Sequence, residues 1–314
     1  MSNNLTGLFE TVIAAASKAA LAPKFKCAFL DSIYTDYRSQ YGEVGQTVNI
    51  NIPIINENTV NNIGNGAIIT SDLNHTPTTL VINQNLQTAV IIKSFDQNRT
   101  VQDLQALYMD GKIEDIRRKI NRAIANLATP TNFSTYSTIT SAATNAFQRV
   151  DIAAGWKNLT NAGAPINPQD MFFITTPTAY STMMSDTSST GNFVQQYVVG
   201  DQAAQAARDA YLMPMYQTQL LYDQQAVVTS AKQTGLYFHR YAIGAVPVLQ
   251  KPMDNPAIQE STIYLGSNPA GEPTWPVKIQ MWADPEGQGM KINLMAMFAL
   301  SVVRPEFGSY CVSS

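Results

Sequence analysis

Charge is what this chain of 314 residues has least of. Asp, Glu, Lys and Arg make up 14% of it, against about 25% in an ordinary soluble chain. Neutral polar residues take their place, most densely in residues 49–66 (NINIPIINENTVNNIGNG) and 129–147 (TPTNFSTYSTITSAATNAF). A surface of that kind has little self-repulsion, and depletion of charge marks the buried centres of interfaces. Extensive self-association is the expectation. The net charge of −3 argues against a binder whose affinity comes from neutralising phosphates. No run approaches the ~18 apolar residues of a membrane span. The opening MSNNLTGLFE has no basic start and carries Glu10, which makes it a poor secretory signal. The triplet Asn98–Thr100 therefore carries no weight as a glycosylation site. Cys27 and Cys311 are too few for a disulfide framework, and a cytosolic folding compartment with reduced thiols follows.

Catalytic chemistry is equally sparse. The two histidines are His75, in a polar stretch near Asp72, and His239, beside Arg240. Two ligands at the His75–Asp72 spacing make weak evidence for a metal, and His239 reads as a structural donor. No GxSxG elbow supports a Ser-His-Asp triad. Gly64-Asn65-Gly66 resembles a phosphate loop in composition alone, without a Walker Lys-Ser/Thr or GxGxxG. Lys26 beside Cys27 could lower a thiol pKa, but an isolated Cys is usually just packed. No catalytic, cofactor-binding or metal residues are assigned, and no enzyme is expected.

What the chain does have is periodicity. Hydrophobic residues make up 45%, and at this length ~75% of the extended-chain surface can be buried, in one large domain or two. From Asn98 to Thr129, Val101, Leu104, Leu107, Tyr108, Ile113, Ile116, Ile120, Ile124 and Leu127 recur at mostly three or four residues, the stripe of one long helix. Thr100 is placed as its N-cap, Gly111 as its weak point, and Glu114–Arg118 and Asp115–Lys119 as i,i+4 ion pairs. Leu5, Leu8, Phe9, Val12 and Ile13 give a second amphipathic helix, ending before Pro23, either a docking arm or the first core helix. Between the two, Gln46–Pro53 alternates with period two, and a second β-prone run spans Thr78–Phe95. Joined by the polar 54–77, they form an extended hairpin. A two-stranded ribbon is marginal alone, so it lies on its own domain or on a neighbouring subunit.

After the long helix come a Ser/Thr loop (129–146), a helix over Val150–Ala162, a strand at Met171–Thr176 and a short helix from Pro177. An Ala-rich helix (QAAQAARDAY) and an alternating MYQTQLLY follow, then an apolar, buried Gly235–Leu249. Strands at Pro276–Trp282 and Met290–Val303 flank the turn Asp284-Pro285-Glu286-Gly287. Pro305 breaks the last of these, and SYCV adds a final short strand. The architecture is mixed α+β.

The order of these parts resembles the major capsid proteins of tailed bacteriophages with the HK97 fold, in a P22-like form without the inserted domain. VGQTVNINIP is similar to the strand entering the family's extended loop (E-loop), and TTLVINQNLQTAVIIKSFD to the strand leaving it. The helix over Val101–Leu127 resembles the spine helix of the P-domain, and MFFITTPTAYSTMM the opening of the A-domain. LYFHRYAIGAVP looks like the apolar core segment of P22-type members. MWADPEGQGMKINLMAMFALSVVRPE, ending in Arg304-Pro305-Glu306, resembles the returning P-domain hairpin. The divisions implied are an N-terminal arm (1–40), E-loop (41–96), P-domain (97–168), A-domain (169–275), P-domain hairpin (276–306) and C-terminal strand (307–314).

The resemblance implies a structural protein that self-assembles into pentamers and hexamers of an icosahedral capsid around double-stranded DNA, with hairpin and arm reaching adjacent subunits. Its implied partners are copies of itself, a separate scaffolding protein, a portal and a cement protein, and DNA bound without sequence specificity. No membrane is implied, and no cofactor. Its place would be the virion, after assembly in a bacterial host cytoplasm. Covalent cross-linking is not implied. The alternatives are an encapsulin-like shell holding cargo and, in a different class, a hydrolase or binding domain with a polar lid at 54–77.

Overall fold

The computed structural model of the chain describes residues 2–21, 25–35, 44–53, 75–93, 101–133, 138–141, 147–185, 215–227, 232–253, 255–267, 273–284 and 289–313. The longest element, α3, spans Val101–Ala125, about 37 Å at 1.5 Å per residue. Met109, Ile113, Ile116, Ile120 and Ile124 form its buried stripe. Tyr108, expected in that stripe, is 46% exposed. At 100° per residue it lies about 120° from the centre of the stripe, and Met109 takes its place. Asp115 pairs with Lys119 at 3.3 Å as expected. Glu114 instead turns inward and is buried. Thr100 lies outside the described residues. The first helix, α1, covers Ser2–Leu21 and lays Phe9, Val12, Ala16 and Ala20 into the chain's own core. Its neighbours are α3 and a strand described below. A five-residue helix, α2 (Ala28–Ser32), follows.

Strands β1 (Thr47–Pro53) and β2 (His75–Val81) pair antiparallel as a two-stranded ribbon. The run Thr78–Phe95, read from sequence as one strand, breaks at Ile82–Asn83. Its second half, β3 (Gln84–Lys93), enters another sheet. Ile82 is fully buried and anchors the corner.

The stretch expected to be a Ser/Thr loop contains the short α4 (Pro130–Phe133) and a strand, β4 (Thr138–Thr140). Thr129 caps α4, its hydroxyl accepting from the Asn132 N–H at 3.3 Å. α5 spans Arg149–Asn161, β5 Met171–Thr175 and α6 Pro177–Ser185. The Ala-rich helix lies outside the described residues. MYQTQLLY opens as a turn, not a strand. Tyr216 and Gln217 hold positive φ (50° and 57°), so alternation begins only at β6 (Gln219–Tyr222).

Gly235–Leu249 is buried as expected, but as two strands in two different sheets. β7 (Thr234–His239) and β8 (Ile243–Val248) flank a 3-10 turn at Arg240–Ala242. β9 (Gln259–Ser267), which the sequence reading missed, precedes β10 (Pro273–Asp284) and β11 (Gly289–Val302). A second 3-10 turn, Pro305–Phe307, leads to β12 (Gly308–Val312).

Two five-stranded sheets make the body. One runs β3-β11-β10-β9, with β8 paired to the far half of β11. The other runs β4-β12-β7-β5-β6. The chain crosses between them at Arg240–Ala242 and again at Val303–Phe307. The two crossings are tied together, the N–H groups of Val303 and Arg304 donating to Ala242 O at 2.9 and 3.2 Å. α5 packs on β7 and β12 at a close approach that needs glycine, since a Cβ at Gly155 would sit 2.7 Å from the Tyr237 ring. One hydrophobic core runs continuously from α1 through both sheets.

Candidate functional site

His75 opens β2 opposite Pro53, in a strand and not in the polar loop expected for it. Asp72 and Gly64–Gly66 lie outside the described residues. His239 ends β7 at the first crossing, where its Nδ1 accepts from the Tyr241 N–H at 3.2 Å. It is thus an acceptor, not the donor expected. Tyr241 and Phe307 rings flank it at 5.0 and 5.9 Å, and its Nε2 is buried without a hydrogen-bond partner. Burial, helped by Arg240 and Arg304 against Asp170, lowers its pKa and keeps the imidazole neutral. The Cys27 thiol is pushed up to about 12 by desolvation, which Arg117 only partly opposes. Lys26 does not activate it, because the ammonium lies over the Tyr222 ring at 4.8 Å. Burial raises Cys311 as well. Among the described residues no group of three or more His, Cys, Asp or Glu could hold a metal, and no helix is long and apolar enough to cross a membrane.

The polar cluster that sequence reasoning missed is a structural junction. Asn121 of α3 and Asp223, just after β6, are both fully buried. Asn121 Nδ2 donates to both Asp223 oxygens at 3.0 and 2.9 Å and to Gln225 Oε1 at 3.1 Å. The pair caps α2 from outside. Phe29 N–H donates to Asp223 at 3.3 Å, and Leu30 N–H to Asn121 Oδ1 at 3.1 Å, filling helix N–H groups with no partner of their own. Sequence offered one signal, a lone Asn beside the apolar stripe. Its partner lies 102 residues away.

The surfaces are more distinctive than any pocket chemistry. The β1–β2 ribbon has its own small core, with Ile50, Leu80 and Ile82 seated on Val246, Val248, Met297, Ala299 and Val303. The seat belongs to the ribbon's own chain. On the ribbon's other face Val81 is 44% exposed, and the Thr79 hydroxyl donates to Asn49 at 3.1 Å.

The long sheet turns Val277, Ile279 and Met281 into the core and Lys278 and Gln280 to the opposite face. There Lys278 pairs with Glu260 at 3.1 Å and donates to Lys251 O at 2.6 Å. Burial alone would raise the Glu260 carboxyl. Hydrogen bonds from Gln280, the Met253 N–H and Lys278 outweigh it and hold the pKa below its ordinary value. Ile91 and Tyr264 stand exposed on this same face.

No family model matches the sequence, and no curated protein matches it. Solved structures do match along nearly the whole chain. The capsid of Cyanophage P-SCSP1u superposes with a TM-score of 0.60 at 12% identity, covering 93% of this chain and 90% of that one. The capsid of Ralstonia phage GP4 gives 0.60 at 12% identity, over 93% and 92%. A virus-like particle from Pyrococcus furiosus gives 0.52 at 10% identity, over 96% and 98%. At such identities the likeness lies in the path of the backbone. The fold of this chain is the α+β, HK97-type fold of phage capsids.

Proposed function

We propose that the chain is a shell subunit, the major capsid protein of a tailed phage. Copies assemble as pentamers and hexamers into an icosahedral capsid that encloses double-stranded DNA. One observation carries the reading. A two-stranded ribbon is seated through Ile50, Leu80 and Ile82 on a body matching capsid structures over nine-tenths of both chains. A fold likeness of this extent favours a shell over the hydrolase reading, which rested on a polar lid alone. Many individually weak contacts, closed into a symmetric assembly, would supply the stability.

In this reading 41–96 is the E-loop, 97–168 with 276–306 the P-domain, 169–275 the A-domain, and 1–40 and 307–314 the two ends. Strands β8 and β9 are lent by the A-domain span to the P-domain sheet. A scaffolding protein, portal and cement protein are the partners, and the virion is the final location after assembly in the host cytoplasm. The role is structural, with oligomerisation in place of catalysis. The Pyrococcus particle supports a second reading, an encapsulin-like cargo shell, but with a lower TM-score than the Cyanophage P-SCSP1u and Ralstonia phage GP4 capsids.

Purified protein examined by size exclusion and negative stain tests the reading. Closed polyhedral shells are expected, and a monomer or small oligomer at high concentration would overturn it. Replacing 54–74 with a short Gly-Ser connector should leave the subunit's melt intact while abolishing shells.

A further inference from the structure

We propose that the exposed face of α3 is a contact surface for a phosphodiester polyanion, the nucleic acid the shell encloses. The proposal rests on the shell reading and adds which surface faces the lumen. Burial along α3 leaves Tyr108, Gly111, Arg118, Lys119, Arg122 and Asn126 exposed in a single stripe, with Lys112 and Asp115 half-buried within it. Four of these are cations, in a chain whose net charge is −3. The one acid among them, Asp115, is already held by Lys119 at 3.3 Å. Glu114 is buried on the other side, Asp31 faces Arg117 at 3.9 Å, and Asp110 is half-buried at the flank.

The cations are also presented in a form suited to nucleic acid. The Arg118 guanidinium lies over the Phe25 ring at 4.7 Å, and Phe25 is itself 37% exposed. Stacking holds the planar fork outward, where it can take phosphate oxygens two at a time. Tyr108, on the same stripe, offers a second exposed ring. Positive charge interleaved with aromatic faces is the pattern that tracks a nucleic-acid backbone without reading sequence. Lys112 to Arg122 spans about 15 Å of helix, along which duplex DNA presents roughly nine charges. Ample phosphate is in reach, and the contact would be weak per copy and repeated over the lattice.

The test uses the full-length subunit below its assembly concentration, a fluorescent 30-base-pair duplex of random sequence, and anisotropy between 50 and 200 mM NaCl. Wild type is expected to bind with a log–log salt slope of about −3 to −4, roughly a hundredfold loss over that range. The variant K112Q/R118Q/R122Q, which keeps good helix formers, should bind at least tenfold more weakly at 50 mM, with a slope near zero. Equal binding by variant and wild type overturns the proposal. So does a wild type that ignores the duplex but binds polyglutamate, which would make the partner an acidic protein. Negative stain of the same preparations at high concentration separates the two claims. A wild type without shells sinks the capsid reading and leaves the binding result standing, while shells from both proteins with unchanged duplex affinity sink the polyanion surface alone.

Discussion

The body and the ribbon are built by the same rules at very different scale. In the body one core joins α1, α3 and both sheets, and its aromatic side chains interlock. Phe173 meets Phe147 at 5.4 Å and Tyr237 at 6.4 Å. The ribbon and its corner send Ile50, Leu80 and Ile82 into a separate, smaller cluster, against which Val48 also packs. At about 1.5–3 kcal/mol per buried side chain, these three contribute roughly 5–9 kcal/mol before the cost of ordering the chain is subtracted. The body's core is extensive, and the ribbon's seat is a few side chains. The difference can be attacked directly.

The largest effect belongs to the body. Phe173→Ala should cost about 3–5 kcal/mol, read as a fall in the denaturant midpoint at constant slope. Asn121→Ala comes next, at roughly 2–4 kcal/mol. It leaves the buried Asp223 carboxylate with the Phe29 and Gln225 N–H groups as its donors among the described residues and frees the Leu30 N–H at once. Asn121→Asp would place a second carboxylate against the first and should be worse still. Leu80→Ala is the contrasting case. Its cavity lies in the ribbon's seat, so the global midpoint should move by less than about 1 kcal/mol, while amide exchange over 47–50 and 78–82 accelerates. A Leu80→Ala variant that melts as early as Phe173→Ala would show that ribbon and body are one cooperative unit.

The same contrast explains what was legible in the sequence. Elements whose partners do not matter to their period were read closely. The stripe of α3, the alternation of β1 and the turn-flanked β10 and β11 all announce themselves locally. What failed depended on distant partners. β9 (QESTIYLGS) buries Ile263 and Leu265 deeply among polar neighbours, and becomes a strand because β10 pairs with it. β4 is three residues held by a parallel pairing to β12. Nothing in the run Thr78–Phe95 marks the corner at Ile82–Asn83. It exists because the ribbon and the long sheet each claim half. The Asn121–Asp223 junction was hidden for the same reason, its geometry being created only when α2, α3 and the end of β6 meet. The whole-chain resemblance succeeded where single motifs were loose, because element order survives when sequence identity has fallen to 12%.

The smallest effect probes the place where body and ribbon touch. His239 sits at the first crossing, whose Ala242 carbonyl accepts from Val303, and Val303 is part of the ribbon's seat. Because its pKa in the folded chain lies below the ordinary 6.5, the unfolded chain binds the proton more readily. Stability is therefore full above about pH 6.5 and declines as the pH falls through that value toward the folded pKa. Glu260, held below its ordinary 4.5, adds a separate loss that begins only as the pH drops past that figure. Melts from pH 8 to 4 should show the first decline in wild type and lose it in His239→Phe, which keeps a ring between Tyr241 and Phe307. The second decline should survive in that variant and disappear in Glu260→Gln. Amide exchange at Leu80 should follow the first decline and not the second, since the crossing adjoins the ribbon's seat. A ribbon indifferent to His239 would mean that the limb is fastened to β8 and β11 without regard to the crossing beside them.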